Sequence, residues 1–287
     1  MAASRRAETR RRAFIAGGSI LAVLAIVVVF IVVKTLNKPS PATVTASSHV
    51  TTTVVQQVTS VPAATLDKVA AGPVYPAPGS VYPHAIQTIA TSSTPLTSGG
   101  KPQVVYVGAE YCPFCAAERW SLVVALSRFG TFSGLHFIHS SSTDVNPNTP
   151  TLSFYKASYT SKYLVFTTTE AQTVTKATLQ PLTALDKQLM GKYDVPPYVP
   201  SATYDGSFPF VDFGNKYVIA GASYSPALLA GLTWQQIGAD LANPNNTVAK
   251  AIDGAANHIT AAICKITSNQ PAGVCGSAGV SAASGSI

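Results

Sequence analysis

Cys112-Pro113-Phe114-Cys115 places two thiols at Cys-X-X-Cys spacing, and thiols so close make a reversible dithiol/disulfide couple. Ahead of them runs Val104-Val105-Tyr106-Val107-Gly108, an unbroken apolar stretch that reads as a buried central strand. Behind them, Ala116 to Arg128 contains no Gly or Pro and sets Trp120, Val123, Val124 and Ser127 on one helical face. The order is strand, cysteine pair, helix. Cys112 falls at or just before the first helical turn, where unpaired backbone N–H groups and the positive end of the helix dipole favour a thiolate. The thiolate is the attacking form, and such pairs have pKa values lowered to between about 3.5 and 7.5. Cys112 is therefore the expected nucleophile, open to solvent. Cys115, a turn deeper, is expected to be less ionised and to resolve a mixed disulfide by attacking the Cys112 sulfur. Pro113 lacks an N–H and suits the first turn, while Phe114 offers apolar surface to an extended client.

Other uses of the pair remain open. A purely structural disulfide closes a trivial loop here and crosslinks almost nothing. A zinc site needs two further ligands, and the nearest histidines, His136 and His139, are three apart on an expected strand, which puts them on opposite faces. Two alternatives from other classes stand beside redox exchange. One is a copper-delivery domain using Cys112, Cys115 and a histidine; the other is a redox-inert interaction module. Neither metal nor cofactor is expected in the leading reading.

The N-terminus bears on where this chemistry takes place. Ala13 to Val33 is apolar apart from Gly17, Gly18 and Ser19, long enough as one helix to cross a hydrocarbon core of roughly 30 Å. The arginines at 5, 6, 10, 11 and 12 precede it, and basic excess on that side keeps the N-terminus cytoplasmic. The expectation is a single-pass membrane protein: basic tail 1–12, transmembrane helix 13–33, tether 34–65, and an extracytoplasmic domain 66–287. A cleaved signal peptide ending near Val44-Thr45-Ala46 is the alternative. Those arginines with Lys34 and Lys38, set against Glu8, account for nearly all of the formal net charge of +7. The rest of the chain is nearly neutral and holds no basic face for nucleic acid.

Cys264 and Cys275, with Thr267-Ser268-Asn269-Gln270-Pro271 between them as a chain reversal, read as a structural disulfide. A loop of this size is worth roughly 3 kcal/mol in the chain-entropy model, and such bonds persist in oxidising compartments. A second exchange couple that takes electrons from the first is the alternative.

The remaining elements must hold the pair in place. Gly99-Gly100 turns into the central strand, and Leu66 to Ala71 forms a short helix. The Pro/Gly/Tyr-rich stretch 72–83, with Tyr75 and Tyr82, reads as ordered loop. Leu135 to His139 is the next strand. Residues 140–206, holding an Asn/Pro loop, a strand at 163–168 and an amphipathic helix around 179–193, read as an insertion that caps the site, chooses clients or only adds packing. Phe208-Pro209 then leads a hairpin of Phe210 to Phe213, Gly214-Asn215 and Lys216 to Ile219. Pro209 belongs at the strand's first residue, and a cis bond there would be a specific feature. Ser225-Pro226 and the capping box begun by Thr233 start further helices. Val248, Ile252, Ala255, Ile259, Ala262, Ile263 and Ile266 mark the core face of the last one.

The segment Gly108-Ala109-Glu110-Tyr111-Cys112-Pro113-Phe114-Cys115-Ala116-Ala117-Glu118-Arg119-Trp120 resembles the active-site segment of thioredoxin-like domains, including those joined to vitamin K epoxide reductase homologues. Together with Ser140-Ser141-Ser142-Thr143-Asp144, the Phe208 to Val218 hairpin and the Cys264/Cys275 helix, it resembles domain-of-unknown-function family 929 of archaea and actinobacteria over roughly residues 55–276. The resemblance implies an α/β fold: a thioredoxin-like central mixed sheet flanked by helices, with an insertion before the cis-proline strand and an N-terminal anchor. It implies that Pro209 stands beside Cys112 and that the backbone of Phe208 pairs with a client chain. Glu110 and Glu118, by proximity, are candidates for the carboxylate that manages the Cys115 proton in thioredoxins. The expected activity is thiol-disulfide exchange, in an undetermined direction, on cysteine-containing exported proteins, with a membrane or extracytoplasmic redox partner.

Overall fold

The computed structural model describes residues 48–73, 86–89 and 93–287. The expected basic tail, transmembrane helix, cleavage site and Tyr75/Tyr82 loop lie outside the described residues. Among the described residues no helix is long and apolar enough to cross a membrane.

Among the described residues two helices come first, α1 (Ser48–Thr59) and α2 (Ala63–Val69). The first lies inside the segment expected to be a tether. Its Thr/Val-rich sequence has weak intrinsic helix propensity, but Val54 and Val58, one turn apart, are both buried in the core, and tertiary packing wins over propensity. Next come β1 (Gln87–Thr88), β2 (Thr97–Ser98) and β3 (Lys101–Gly108), the last two joined through Gly99 and Gly100, both at positive φ. The cysteine pair opens α3 (Pro113–Ser127). Four short strands follow: β4 (Gly130–Ser133), β5 (His136–His139), β6 (Pro150–Ser153) and β7 (Ser158–Ser161). Then come β8 (Val165–Glu170), α4 (Ala184–Tyr193), β9 (Phe210–Phe213) and β10 (Tyr217–Ala220). The chain closes with α5 (Trp234–Asp240), α6 (Thr247–Ile266), α7 (Ala272–Cys275) and α8 (Ala278–Ser284).

The main sheet is mixed, with neighbours in the order β1, β10, β9, β3. On β3, Gln103 to Gly108 pair in parallel with β8, while Val104 to Val107 pair antiparallel with β9. This corrects the expected insertion. Residues 165–170 are a full-length neighbour of the central strand, so 140–206 contributes to the sheet as well as surrounding it. The expected strand Leu135 to His139 is displaced in the opposite sense: β5 pairs only with β6 in a separate two-stranded sheet. Alternation along β3 divides the core. Val104 and Tyr106 join Val211, Phe213 and Ile219 against α3 and α6, whereas Val105 and Val107 join Phe210, Val218 and the α4 residues Leu189 and Met190.

Helix α3 departs from the one-sided packing expected of it. Every residue from Cys115 to Leu126 is buried, because β6, α6 and the loop after β10 enclose it. Polar ties run outward in several directions: Trp120 Nε1 donates to the Pro150 carbonyl, Thr151 Oγ1 to Ala116, Tyr224 Oη to Ala117, and Ser121 Oγ to Ile252. The helix carrying the thiols is thereby enclosed along nearly its whole length. Helix α4 begins later than expected, since Pro181 precedes it and Thr183 with Asp186 form a reciprocal capping box. The expected core face of α6 is buried except at Ile266, which is half-buried. Cys264, at its C-terminal end, is bonded to Cys275, as expected of the structural pair.

Burial drives four of the enclosed carboxyl groups upward: Glu118 and Asp212 to about 7, Asp194 and Asp253 to about 8. Asp194 and Asp253 have no hydrogen-bond partner for either carboxyl oxygen among the described residues. Unfolded carboxyls ionise near about 4. Between about pH 4 and pH 8 the folded protein thus holds more protons than the unfolded chain, and stability falls as pH rises through that window. Urea unfolding should give a higher midpoint at pH 5 than at pH 8, and Asp253→Asn should flatten the difference.

Candidate active site

Cys112 is the N-cap of α3, with extended backbone (φ −75°, ψ 120°), and its sulfur accepts the N–H of Cys115 at 3.2 Å. A thiolate is favoured there by the orphan donors of the helix start. Burial opposes ionisation of Cys112, but hydrogen bonds from the Cys115 thiol and backbone, the Arg119 charge and the Phe114 N–H outweigh it, and the pKa is lowered. Cys115 moves the other way. Its burial, together with its hydrogen bond to Cys112 and that group's charge, raises it well above an ordinary thiol. Both thiols are free of disulfide, and Cys115 is the less acidic of the two, as expected from its deeper place in the helix.

The openness expected of Cys112 is not found. Only 5% of the residue is exposed, and Cys115 is fully covered. Tyr111, Phe114 and Phe208, each half-buried, pack against the pair. Phe114 thus serves as part of the cover over the thiols, not only as free apolar surface. Phe208-Pro209 is cis, as expected at the head of β9. The Phe208 carbonyl lies 3.6 Å from the Cys112 sulfur and accepts from the thiol. Residues 96 apart in sequence meet at one sulfur.

The polar run Ser140 to Asp144 also reaches this rim. The Ser141 N–H donates to the Tyr111 carbonyl at 2.9 Å. Asp144 pairs with Lys176 at 3.3 Å, and the Lys176 ammonium stands 4.7 Å from the centre of the Tyr111 ring. Two loops therefore hold the residue next to Cys112, one on each side of β8 in the chain.

Neither carboxylate expected to serve Cys115 touches it in the structure. Glu118 accepts from the backbone N–H and hydroxyl of Ser223, and Glu110 accepts from Ser153 Oγ. The charge acting on both thiols is that of Arg119, fully buried and paired with Glu170 at 2.9 Å and 2.7 Å. The importance of this pair was missed in the sequence, although a signal was present: Glu118-Arg119 puts two charges inside an otherwise apolar helix. His136 and His139 point to separate neighbours, His136 Nε2 lying 4.0 Å from Glu110 and the His139 ring packing at a tilt against Trp234. Among the described residues no group of three His, Cys, Asp or Glu side chains is placed to hold a metal ion.

The family model described as Domain of unknown function (DUF929) matches residues 87–265. The chain belongs to this family. The match begins at β1 and ends in the last turn of α6, so the DUF929 region holds the main sheet, the cysteine pair, the Phe208-Pro209 turn and the Arg119–Glu170 ion pair. It is narrower than the likeness expected from the sequence, leaving out α1, α2 and Cys275. No curated protein and no solved structure matches this DUF929 chain.

In the reduced, folded protein iodoacetamide should modify Cys112 with a midpoint below about pH 8.5, the ordinary thiol value. Cys115 should react only after unfolding. Mass spectrometry of the alkylated peptides across pH checks both outcomes.

Proposed function

We propose that this chain is a thiol-disulfide oxidoreductase on a thioredoxin-like frame, anchored in the cell membrane by residues 13–33 and acting outside the cytoplasm on exported proteins. The observation that carries the reading is the convergence at Cys112. Its sulfur caps a helix, accepts the Cys115 N–H, and lies beside the carbonyl that precedes a cis-proline. The order of the central elements supports the frame: β3, the thiol helix, a parallel β8, and an antiparallel hairpin led by Pro209. The Cys264–Cys275 bond supports the compartment, since such bonds persist where glutathione does not reduce them.

In the reductive direction the Cys112 thiolate attacks one sulfur of a client disulfide, and the other client sulfur leaves as a thiolate. Cys115 then attacks the Cys112 sulfur, closing the Cys112–Cys115 bond and releasing the second client thiolate. Run backwards, the same steps deliver a disulfide. Potentials among proteins with this motif span about −270 to −120 mV, so measurement of this couple fixes the direction. The close cover over Cys112 bears on client choice. In this reading a client presents its sulfur along the edge formed by Phe114 and Phe208 and pairs with the Phe208 backbone there.

A Cys115→Ser protein expressed in its native host should accumulate mixed disulfides that vanish on treatment with dithiothreitol. Adding Cys112→Ser should abolish them. Non-reducing gels with maleimide labelling read the result, and a Cys115→Ser protein that traps nothing through Cys112 refutes the exchange role.

A further inference from the structure

Cys112, Cys115 and Arg119 recur at three- and four-residue steps along α3, which brings them to one helical face. The guanidinium lies entirely inside the protein. Nε and Nη2 bind the two oxygens of Glu170, and Nη2 also donates to the Ala109 carbonyl at 2.8 Å. That carbonyl accepts the Cys112 N–H as well, at 3.2 Å, while the Ala109 N–H is directed at the Cys115 sulfur. A single residue, Ala109, thus connects the Arg119 guanidinium to the backbone of Cys112 and to the Cys115 sulfur. The third arm, Nη1, is buried without a hydrogen-bond partner among the described residues, and so is the Tyr106 hydroxyl, whose ring centre lies 5.9 Å from the guanidinium carbon. Buried donors are ordinarily satisfied, and a buried ion pair is a poor source of stability compared with apolar packing. An unsatisfied cationic donor beneath a redox pair is well suited to meet a charge that exists for only part of a reaction cycle.

We propose that Arg119 is a positioning residue for the couple: its guanidinium, oriented by Glu170, supplies the positive charge against which Cys115 becomes a thiolate when it resolves a mixed disulfide on Cys112. The inference rests on the exchange reading above. In the step concerned, Cys115 gives its proton to water and its thiolate attacks the Cys112 sulfur. The Cys112–Cys115 bond forms as the bond from Cys112 to the client breaks. The electron pair of the broken bond leaves on the client sulfur, which takes a proton from water; the client is reduced and the pair oxidised. Cys112, Arg119, Tyr106 and Tyr111 are charged or titratable groups that interact with Cys115, and Glu170 and Tyr106 act on Arg119 in turn.

The full chain in detergent, equilibrated with reduced and oxidised glutathione, tests this through two variants that differ in sign. Glu170→Gln leaves the Arg119 charge uncompensated, favours thiolates, and should shift the equilibrium about tenfold toward the dithiol. Arg119→Met combined with Glu170→Gln leaves a neutral pair and should shift it about tenfold toward the disulfide. Each tenfold change corresponds to about 30 mV. The neutral pair should also raise the alkylation midpoint of Cys112 and slow the release of glutathione from its mixed disulfide about tenfold. Equilibria, midpoints and release rates all within twofold of the starting protein, in folded variants, would overturn the proposal. Should the neutral pair fail to fold, Glu170→Gln decides alone, because an unchanged equilibrium and midpoint in that variant overturn it too. A starting protein that exchanges nothing with glutathione overturns the exchange reading itself, which separates the two failures.

Discussion

A sulfur atom at the N-cap of α3 is the point on which this structure turns. Serine, threonine or aspartate usually satisfies the first amides of a helix with an oxygen; here the Cys112 sulfur accepts the Cys115 N–H, so the helix start and the reactive group are one feature. The strand before it must deliver the chain to that point, and the helix after it must not move. Both conditions are met by burial. Val104 to Val107 is covered on both faces of the sheet, and α3 is enclosed along nearly its whole length.

That enclosure explains why polar and charged residues lie so deep. A helix wrapped on every side has no solvent face to hold Glu118, Arg119 and Ser121, so each finds a partner inside: Ser223, Glu170 and the Ile252 carbonyl. The same enclosure raises the Glu118 carboxyl to about 7, and it leaves the Arg119 charge little screened by water, acting on thiols a turn or two away. Acidity at Cys112 is then a balance between desolvation, which opposes charge, and oriented donors with one cation, which favour it.

The near-closure of Cys112 follows from its neighbours' chemistry. Three aromatic residues pack around the pair, and one of them, Tyr111, is held from outside by Ser141 and by a lysine whose own position is set by Asp144. The Ser140 to Asp144 run, distinctive in sequence but without an evident role there, acquires one through this contact. Cover of this kind limits access to Cys112 and keeps water from the thiols and the ion pair beneath.

The cysteine pair, the strand before it, the hairpin behind Pro209, the Thr233 capping box and the apolar stripe of α6 were all legible in the sequence, because each is written in local spacing: three residues for a helical turn, two for a strand face, one proline at a strand's head. The Cys264–Cys275 bond was legible for the same reason, being closed across a short loop. What local pattern could not specify is which distant segment completes an environment. Residues 165–170 read as part of an insertion until their parallel pairing with β3 is seen. The Thr/Val-rich segment 48–59 read as a tether until Val54 and Val58 are placed in the core, and the exposure of Cys112 was misjudged because its cover comes partly from Phe208, far along the chain. Arg119 and Glu170 form the same kind of case. The Arg119 charge stands out in an apolar helix, but its partner does not, and only the packing of β8 beside β3 brings Arg119 and Glu170 together out of water.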